Sequence, residues 1–448
     1  MRETTEKLIE AVRNDLTPSL GVTEPGAIAY AAACAARALG GNVNTVSVWL
    51  NSGIYKNSFT CAVPGTDGMG CALAAALGAV AGDPEKKLMA TEGASNTDIE
   101  EAKRLVETGA AKAYLERISP DITIDAEVTT ENGKAEALIK DRHDRLVSLK
   151  VNGKERLKHA EERDKEAETF AVSSVCFADI VRAVCEIDEI DRLEYSCGDD
   201  LIICDSRPGA EKLDFLDTAV DLDLALYEEG KTAGLMPLTL SRLPEAKSTR
   251  EYAELLTCGA IEARVRGAKV PAMAITGSGS HGILCMLPIH AAEEKEGFVK
   301  DEERKALLLS SLVTMYIKEL SGRLSTACGC VLAGGTGAAL GLTYLYSKDR
   351  LYERLSLALN SMAASVTGMI CHGGNTGCSL KAAVGVNMAF SAAQMAANGF
   401  GAESVHGILG LTPEETMLNM GLIARDMLPV EKTIIDVMAA KEATAERE

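Results

Sequence analysis

Four cysteines near the C-terminal end of this 448-residue chain have the types and spacing for metal chemistry. Cys328 and Cys330 flank Gly329, and Cys371 and Cys378 lie inside the glycine-rich run GMICHGGNTGC, which spans 368–378. Thiolates favour zinc and iron–sulfur clusters. Glycine lets a backbone fold round such a group and aim its N–H donors at sulfur. The chain has no Cys-x-x-Cys pair, which argues against a zinc ribbon. The competing reading is that these are small buried residues at a tight helix contact, since free cysteine is often buried.

Two other segments offer groups for a small anion. Thr276–Gly282 (TGSGSHG) gathers hydroxyls, backbone N–H groups and the His281 imidazole on a loop suited to a carboxylate. No lysine follows, so it is not a P-loop. A glycine-rich turn with a satisfied histidine explains it equally well. Asn51–Asn57, followed by Val63-Pro64-Gly65-Thr66, puts Lys56 and Asn57 in a glycine-marked bend beside a strand, where they would grip an anionic substrate or merely shape a hairpin. A third run, Gly334–Gly341, has GxGxxxG spacing and no convincing strand before it. A dinucleotide loop needs GxGxxG after a strand, so close helix packing is the better reading and a dinucleotide-dependent oxidoreductase is the weaker one.

The elements that must position these residues change in texture along the chain. Thr4–Leu16 and Gly26–Leu39 read as helices, with Thr23 as N-cap of the second and Pro25 in its first turn. Val43–Leu50, Ser58–Val63, Ala113–Ile118, Ile122–Thr130, Lys134–Lys140 and Arg145–Val151 alternate like strands, and Met69–Gly82 and Thr97–Thr108 read as helices. The charged segment Lys154–Glu168 reads as a solvated helix or linker. Beyond it the texture is helical: Ala171–Cys185, Leu213–Glu229, Tyr252–Arg266, Glu302–Leu320, Leu351–Ser361, Ala382–Asn398 and Pro413–Asp426. The expected class is α+β, a large mostly helical domain with a smaller α+β domain on an antiparallel sheet. The expected boundaries are 1–41 for N-terminal helices packing on the helical domain, 42–160 for the small domain, and 161–448 for a helical cluster-binding catalytic domain.

Composition narrows the function classes. With 65 Asp and Glu against 46 Lys and Arg, the net charge of −19 disfavours nucleic acid and anionic membranes. Several long stretches lack charged residues, among them 324–347 and 355–380. Their Gly pairs, His372 and Asn375 mark them as the interior of a soluble core rather than membrane spans. Met1–Asn14 is charged throughout and lacks the apolar centre of a secretory signal. An odd count of 13 cysteines then fits free thiols or metal ligands in a reducing cytoplasm.

Taken in order, Gly-x-Thr-Glu-Pro at 21–25, Ile54-Tyr55-Lys56-Asn57 with Val63-Pro64-Gly65-Thr66, Gly277-Ser278-Gly279-x-x-Gly282, Arg323-Leu324-Ser325-x-x-Cys328, and Gly368-Met369-Ile370-Cys371 with Cys378 form a pattern. It resembles the iron–sulfur L-cysteine desulfidases, relatives of the alpha chain of iron–sulfur L-serine dehydratases, from about residue 8 to 440. The resemblance implies a [4Fe–4S] cluster on Cys328, Cys371 and Cys378, with Cys330 outside the motif position. Three ligands leave one iron open as a Lewis acid. It also implies α,β-elimination from a small amino acid such as L-cysteine or L-serine, giving a 2-oxo acid and ammonia. Thr23, Lys56, Asn57, Ser278 and Ser280 are the substrate-binding candidates.

The sequence departs from that family at three chemical positions. Val22 stands where the family carries the cysteine considered its base, His372 where it carries Asp, and Ser280 where it carries Asn. A lyase with this sequence needs another base. His281 and His372 are the candidates, because imidazole titrates near neutrality, with Glu24 as the outside choice. The alternative is a non-catalytic iron–sulfur or redox-sensing relative that has lost its base at Val22. A small-molecule substrate is the expected partner, and a homodimer the assembly left open.

Overall fold

The computed structural model describes residues 2–158, 170–187, 194–197, 200–203 and 212–445. The chain opens with helix α1 (Arg2–Asp15), strand β1 (Thr17–Ser19) and helix α2 (Thr23–Leu39). Strand β2 (Thr45–Asn51) leads into α3 (Ser52–Ser58), α4 (Cys71–Ala81) and α5 (Asn96–Glu107). Strands β3 (Ala111–Arg117), β4 (Thr123–Thr130), β5 (Gly133–Lys140), β6 (Leu146–Val151) and β7 (Lys154–Lys158) follow.

These strands form one sheet in the order β3-β2-β4-β5-β6-β7. Period-two alternation buries Val46, Val48 and Leu50 of β2, Ile124, Ala126 and Val128 of β4, and Ala135, Ala137 and Ile139 of β5 on one face. Four of the five pairings are antiparallel, as expected, but β2 and β3 run parallel, Val46 opposite Ala111. The cause is the connection: α3–α5 separate the two strands, and a helical crossover returns a strand in the same direction.

α2 covers this sheet and packs on α4. The expected placement of both N-terminal helices on the helical domain is therefore corrected for α2. Its alanines let α4 come close: a Cβ on Gly78 of α4 would stand 2.2 Å from the Ala29 carbonyl oxygen. α1 packs instead against the helices α6 (Phe177–Cys185) and α11 (Lys300–Ser321). Thr23 is the first residue of α2 rather than its N-cap, which is Val22.

The reading of Ser58–Val63 as a strand also fails. Asn51-Ser52-Gly53 turns the chain straight from β2 into α3, and residues 59–63 form a turn whose only pairing is an isolated bridge between Ala62 and Met69. Lys154–Lys158 is the edge strand β7 rather than helix or linker, and the rest of that segment lies outside the described residues.

The larger unit holds α6 (Phe177–Cys185), a hairpin of β8 (Glu194–Cys197) and β9 (Asp200–Ile203), α7 (Phe215–Thr232), α8 (Pro237–Arg242), α9 (Thr249–Val265) and β10 (Ala272–Ala274). Then come α10 (Gly279–Glu296), α11 (Lys300–Ser321), α12 (Thr336–Tyr346), α13 (Leu351–Val366), α14 (Gly377–Ala397), α15 (Pro413–Asp426) and α16 (Leu428–Ala445). α9, α10, α11, α12 and α14 pack on one another around one large core. Short strands β1 and β10 pair antiparallel, and neither is visible in the sequence pattern.

Gly334–Gly341 belongs to this core. It runs from a π-helical stretch, Cys330–Gly335, into α12. A Cβ on Gly337 would lie 2.4 Å from the Ser310 carbonyl oxygen, and one on Gly341 2.3 Å from Ile289. These glycines allow helices to touch, so the run carries no dinucleotide loop. Among the described residues no helix is long and apolar enough to cross a membrane.

Candidate functional site

Two extended segments lie side by side where the chain carries Cys328 and Cys371. The Cys328 amide donates to the Met369 carbonyl at 2.7 Å and the Cys371 amide to that of Thr326 at 2.6 Å, with Ala327 and Ile370 paired between them. Cys378 sits in the first turn of α14, its thiol donating to the Gly373 carbonyl at 3.4 Å. These three cysteines, from chain positions 50 residues apart at the extremes, line one cavity of about 90 Å³. Cys330 lines it too, and its thiol donates to the Ser280 carbonyl at 3.2 Å.

Burial, then the neighbouring thiols, pushes Cys328 and Cys330 up, and pushes Cys378 up to about 12. Such thiols ionise readily when they bind a metal ion. Among the described residues the one His/Cys/Asp/Glu trio with ligand atoms all within 4.8 Å of one another is His290, Glu293 and Glu303, outside this cavity. The cavity thiols are thus not drawn round a single ion. Three thiols lining one cavity, with no histidine or carboxylate drawn into a tight set with them among the described residues, are a donor set that could serve an iron–sulfur cluster.

The glycines of the second cysteine loop have a different cause from the one the sequence suggested. A Cβ on Gly373 would stand 2.6 Å from the Lys56 carbonyl oxygen, and one on Gly374 2.8 Å from that of Asn57. The Gly374 amide donates to the Asn57 carbonyl at 3.1 Å. It is the backbone of α3 that these glycines admit, and its approach brings Asn57 to the cysteines. The Asn57 amide donates to Glu24 Oε1 at 2.7 Å, while its Oδ1 accepts from the Cys371 thiol at 3.6 Å.

Ser278, the N-cap of α10, and Ser280 and His281 in its first turn enter the same cavity, with Glu24 beside them. The Thr276 hydroxyl donates to the Ile275 carbonyl at 2.7 Å, so it accepts from His281 Nδ1, also at 2.7 Å. Nδ1 therefore carries the proton and Nε2 keeps a lone pair. A Cβ on Gly329 would lie 2.6 Å from that Nε2 and 3.2 Å from Lys318 Nζ, so both nitrogens face the residue after Cys328. Burial, then the Lys318 and Arg264 cations, holds the imidazole well below its ordinary range and keeps it neutral.

Three candidates are placed elsewhere. His372 does not line the cavity: its Nδ1 accepts from Asn375 at 3.1 Å, and Asn375 Oδ1 in turn accepts from the Gly377 amide at the start of α14. Lys56 is fully buried in an ion pair, Nζ to Glu431 Oε2 at 2.7 Å, joining α3 to α16. Thr23 lies behind the cavity wall, its hydroxyl accepting from Arg264 at 3.2 Å.

Four cavity residues escaped the sequence reading of candidate sites: His143, Arg264, Lys318 and Arg323. His143 comes from the β5–β6 turn, and its buried Nε2 stands 4.0 Å from Glu24 Oε1 without a hydrogen-bond partner. Lys318, on α11, is lowered to about 8 by burial. Only Arg323 belonged to a recognised segment. The others are single residues from remote elements, and no spacing links them.

Comparisons with known proteins place the chain in a family. Residues 85–435 match the family model described as the serine dehydratase alpha chain. A UPF0597 protein of Clostridium botulinum (strain Okra / Type B1) is 35% identical over 435 residues, covering 96% of this chain and 98% of that protein. Its counterparts in Caldanaerobacter subterraneus subsp. tengcongensis and Geobacter sulfurreducens are 32% and 31% identical, covering 99% and 97% of this chain and 100% and 98% of theirs. With a family match across most of its length and full-length relatives at this identity, the chain belongs to the serine dehydratase alpha-chain family.

Proposed function

We propose that this protein is a [4Fe–4S]-dependent lyase that converts a small amino acid such as L-cysteine or L-serine to a 2-oxo acid and ammonia. The observation that supports it most is the convergence of Cys328, Cys371 and Cys378 on one cavity with a neutral, buried histidine. Cys328, Cys371 and Cys378 would hold the cluster. When bound, the cluster supplies a Lewis-acidic iron that polarises the β-hydroxyl or β-thiol as it departs.

His281 Nε2, with its lone pair toward the cavity, takes the α-proton. The Thr276 hydroxyl fixes the ring through Nδ1 and stabilises the imidazolium that forms. Loss of the α-proton and of hydroxide or sulfide leaves an aminoacrylate, which tautomerises to an imine. Water then adds, giving the 2-oxo acid and ammonia; a proton completes the leaving group as water or hydrogen sulfide. Glu24, tied to Asn57, and the Ser278–Ser280 loop orient the substrate. His372 supports the loop that carries Cys371 and Cys378. The enzyme is assigned to the cytoplasm and, as an assembly to be measured, to a homodimer.

Val22 favours a second reading, a non-catalytic iron–sulfur sensor. It is the N-cap of α2 and lines the cavity, where a thiol would be acidified by the helix N-terminus. The test is anaerobic loading with iron and sulfide, followed by assay of 2-oxo acid release from a panel of amino and hydroxy acids. An absorbance band near about 400 nm with product release supports the lyase. The same band with no product from any acid supports the sensor.

A further inference from the structure

We infer that Arg264 and the first turn of α10 form a carboxylate subsite in this cavity, so that the ligand is a small acid held by its free carboxylate. The inference rests on the lyase reading and deepens it. Arg264 leaves the last turn of α9, lines the cavity and is only 3% exposed. Its Nη1 donates to the Ser280 hydroxyl at 2.8 Å and its Nη2 to that of Thr23 at 3.2 Å, and its buried Nε has no partner. Among the described residues no carboxylate lies within ion-pair distance of it: Glu24, the carboxylate that shares the cavity, is bonded by Asn57. A buried guanidinium served only by hydroxyls is an incomplete pair, and a carboxylate is the anion its planar donor set matches.

The loop is built round that guanidinium. A Cβ on Gly279 would lie 2.7 Å from Arg264 Nε and 3.1 Å from Cζ, so the second glycine of Gly277-Ser278-Gly279 is the space the side chain occupies. Ser278, the residue before α10, makes no side-chain cap bond. The Gly279 and Ser280 amides, at the positive end of an 18-residue helix, have no acceptor among the described backbone groups. Arginine, two amides and the Ser278 hydroxyl thus meet at the start of α10, and His281 follows on the same helical turn. A carboxylate bound there would be held beside the imidazole.

The experiment is calorimetric titration of the full chain with L-serine and L-cysteine against their primary amides, before and after anaerobic loading with iron and sulfide. The acids should bind and the amides bind about 10–100-fold more weakly, the range expected for losing a charged hydrogen-bond pair. Arg264→Gln should erase that preference and Arg264→Lys retain part of it. Should Arg264→Gln fail to fold, the wild-type comparison and Gly279→Ala, which displaces the guanidinium, carry the test. Equal binding of acid and amide, no binding of either, or an acid preference that survives Arg264→Gln overturns the subsite. Turnover without acid preference defeats this inference alone; acid preference without turnover defeats only the lyase reading.

Discussion

Two glycine-rich segments beside the cysteine cavity each carry a histidine, and they use it differently. In the first turn of α10, His281 is buried, its Nδ1 is held by Thr276 and its Nε2 faces the cavity. In the loop before α14, His372 turns aside, bonded to Asn375, which caps the helix that carries Cys378. The sequence offers both as candidates and favours His281, whose segment also carries Ser278 and backbone N–H groups for a carboxylate. Both rings are held through Nδ1, so what separates them is where Nε2 lies: that of His281 faces the cavity, whereas His372 does not line it. On the proposed mechanism the histidine beside Cys371 is a support, and the one 47 residues before Cys328 is the base.

The largest expected effect comes from replacing each in turn. His281→Gln should lower turnover by about 10²–10⁴ with iron content unchanged, the usual value of a positioned base. His372→Gln should cost less than about tenfold in turnover per bound cluster, its effect falling on cluster retention. Steady-state kinetics with iron analysis distinguishes the two. Equal losses in both variants would break the comparison.

Gly329→Ala sharpens it sterically. Gly329 has ordinary right-handed helical dihedrals, so alanine fits the backbone, but its Cβ would crowd His281 Nε2 and Lys318 Nζ. Turnover should fall by about tenfold or more, a smaller loss than removing a positioned base outright. Iron content and thermal stability should stay near wild type. Unchanged turnover would mean that the space in front of Nε2 is not used.

A third test is electrostatic. Burial and the Lys318 cation both depress His281, so the neutral base persists below the ordinary imidazole value of about 6.5. Activity should therefore not decline as pH falls through 6.5. Lys318→Gln removes a cation, so the His281 value rises and the acid limb of the pH–rate profile moves to higher pH. A limb that stays in place would show that another group carries it.

Val22→Cys is the gentlest change. It puts a thiol at the N-cap of α2, facing the cavity. Sulfide release from L-cysteine should rise in this variant while thermal stability stays within about 1 kcal/mol of wild type, because the residue is similar in size. No change in sulfide release would show that residue 22 lies too far from the α-proton to serve.

The convergence of the cysteines was legible because cysteine is rare enough for its pattern to carry meaning, and the sheet because alternation buries one face. Arg264, Lys318 and His143 were not, since each arrives alone from a separate element and reads locally as an ordinary charged or turn residue. Asn57 and Lys56 show how adjacency misleads: helical geometry aims one at Glu24 and the other at Glu431. Ser58–Val63 alternates like a strand, yet the Asn51-Ser52-Gly53 turn commits the chain to α3 before it begins. α2 looked like a partner of the helical domain because alanine-rich helices pack on helices; its alanines serve equally to let a sheet and α4 approach from two sides.

The central claim is that Cys328, Cys371 and Cys378 together hold one iron–sulfur cluster. Iron and acid-labile sulfide per chain, measured after anaerobic loading of the wild type and of Cys328→Ser, Cys371→Ser, Cys378→Ser and Cys330→Ser, tests it most directly. Equal amounts of iron and sulfide in the wild type and in Cys330→Ser, with loss of most of both in the other three variants, is the predicted result. Wild-type protein that takes up no iron, or iron and sulfide that persist undiminished when Cys371 is replaced, would contradict it.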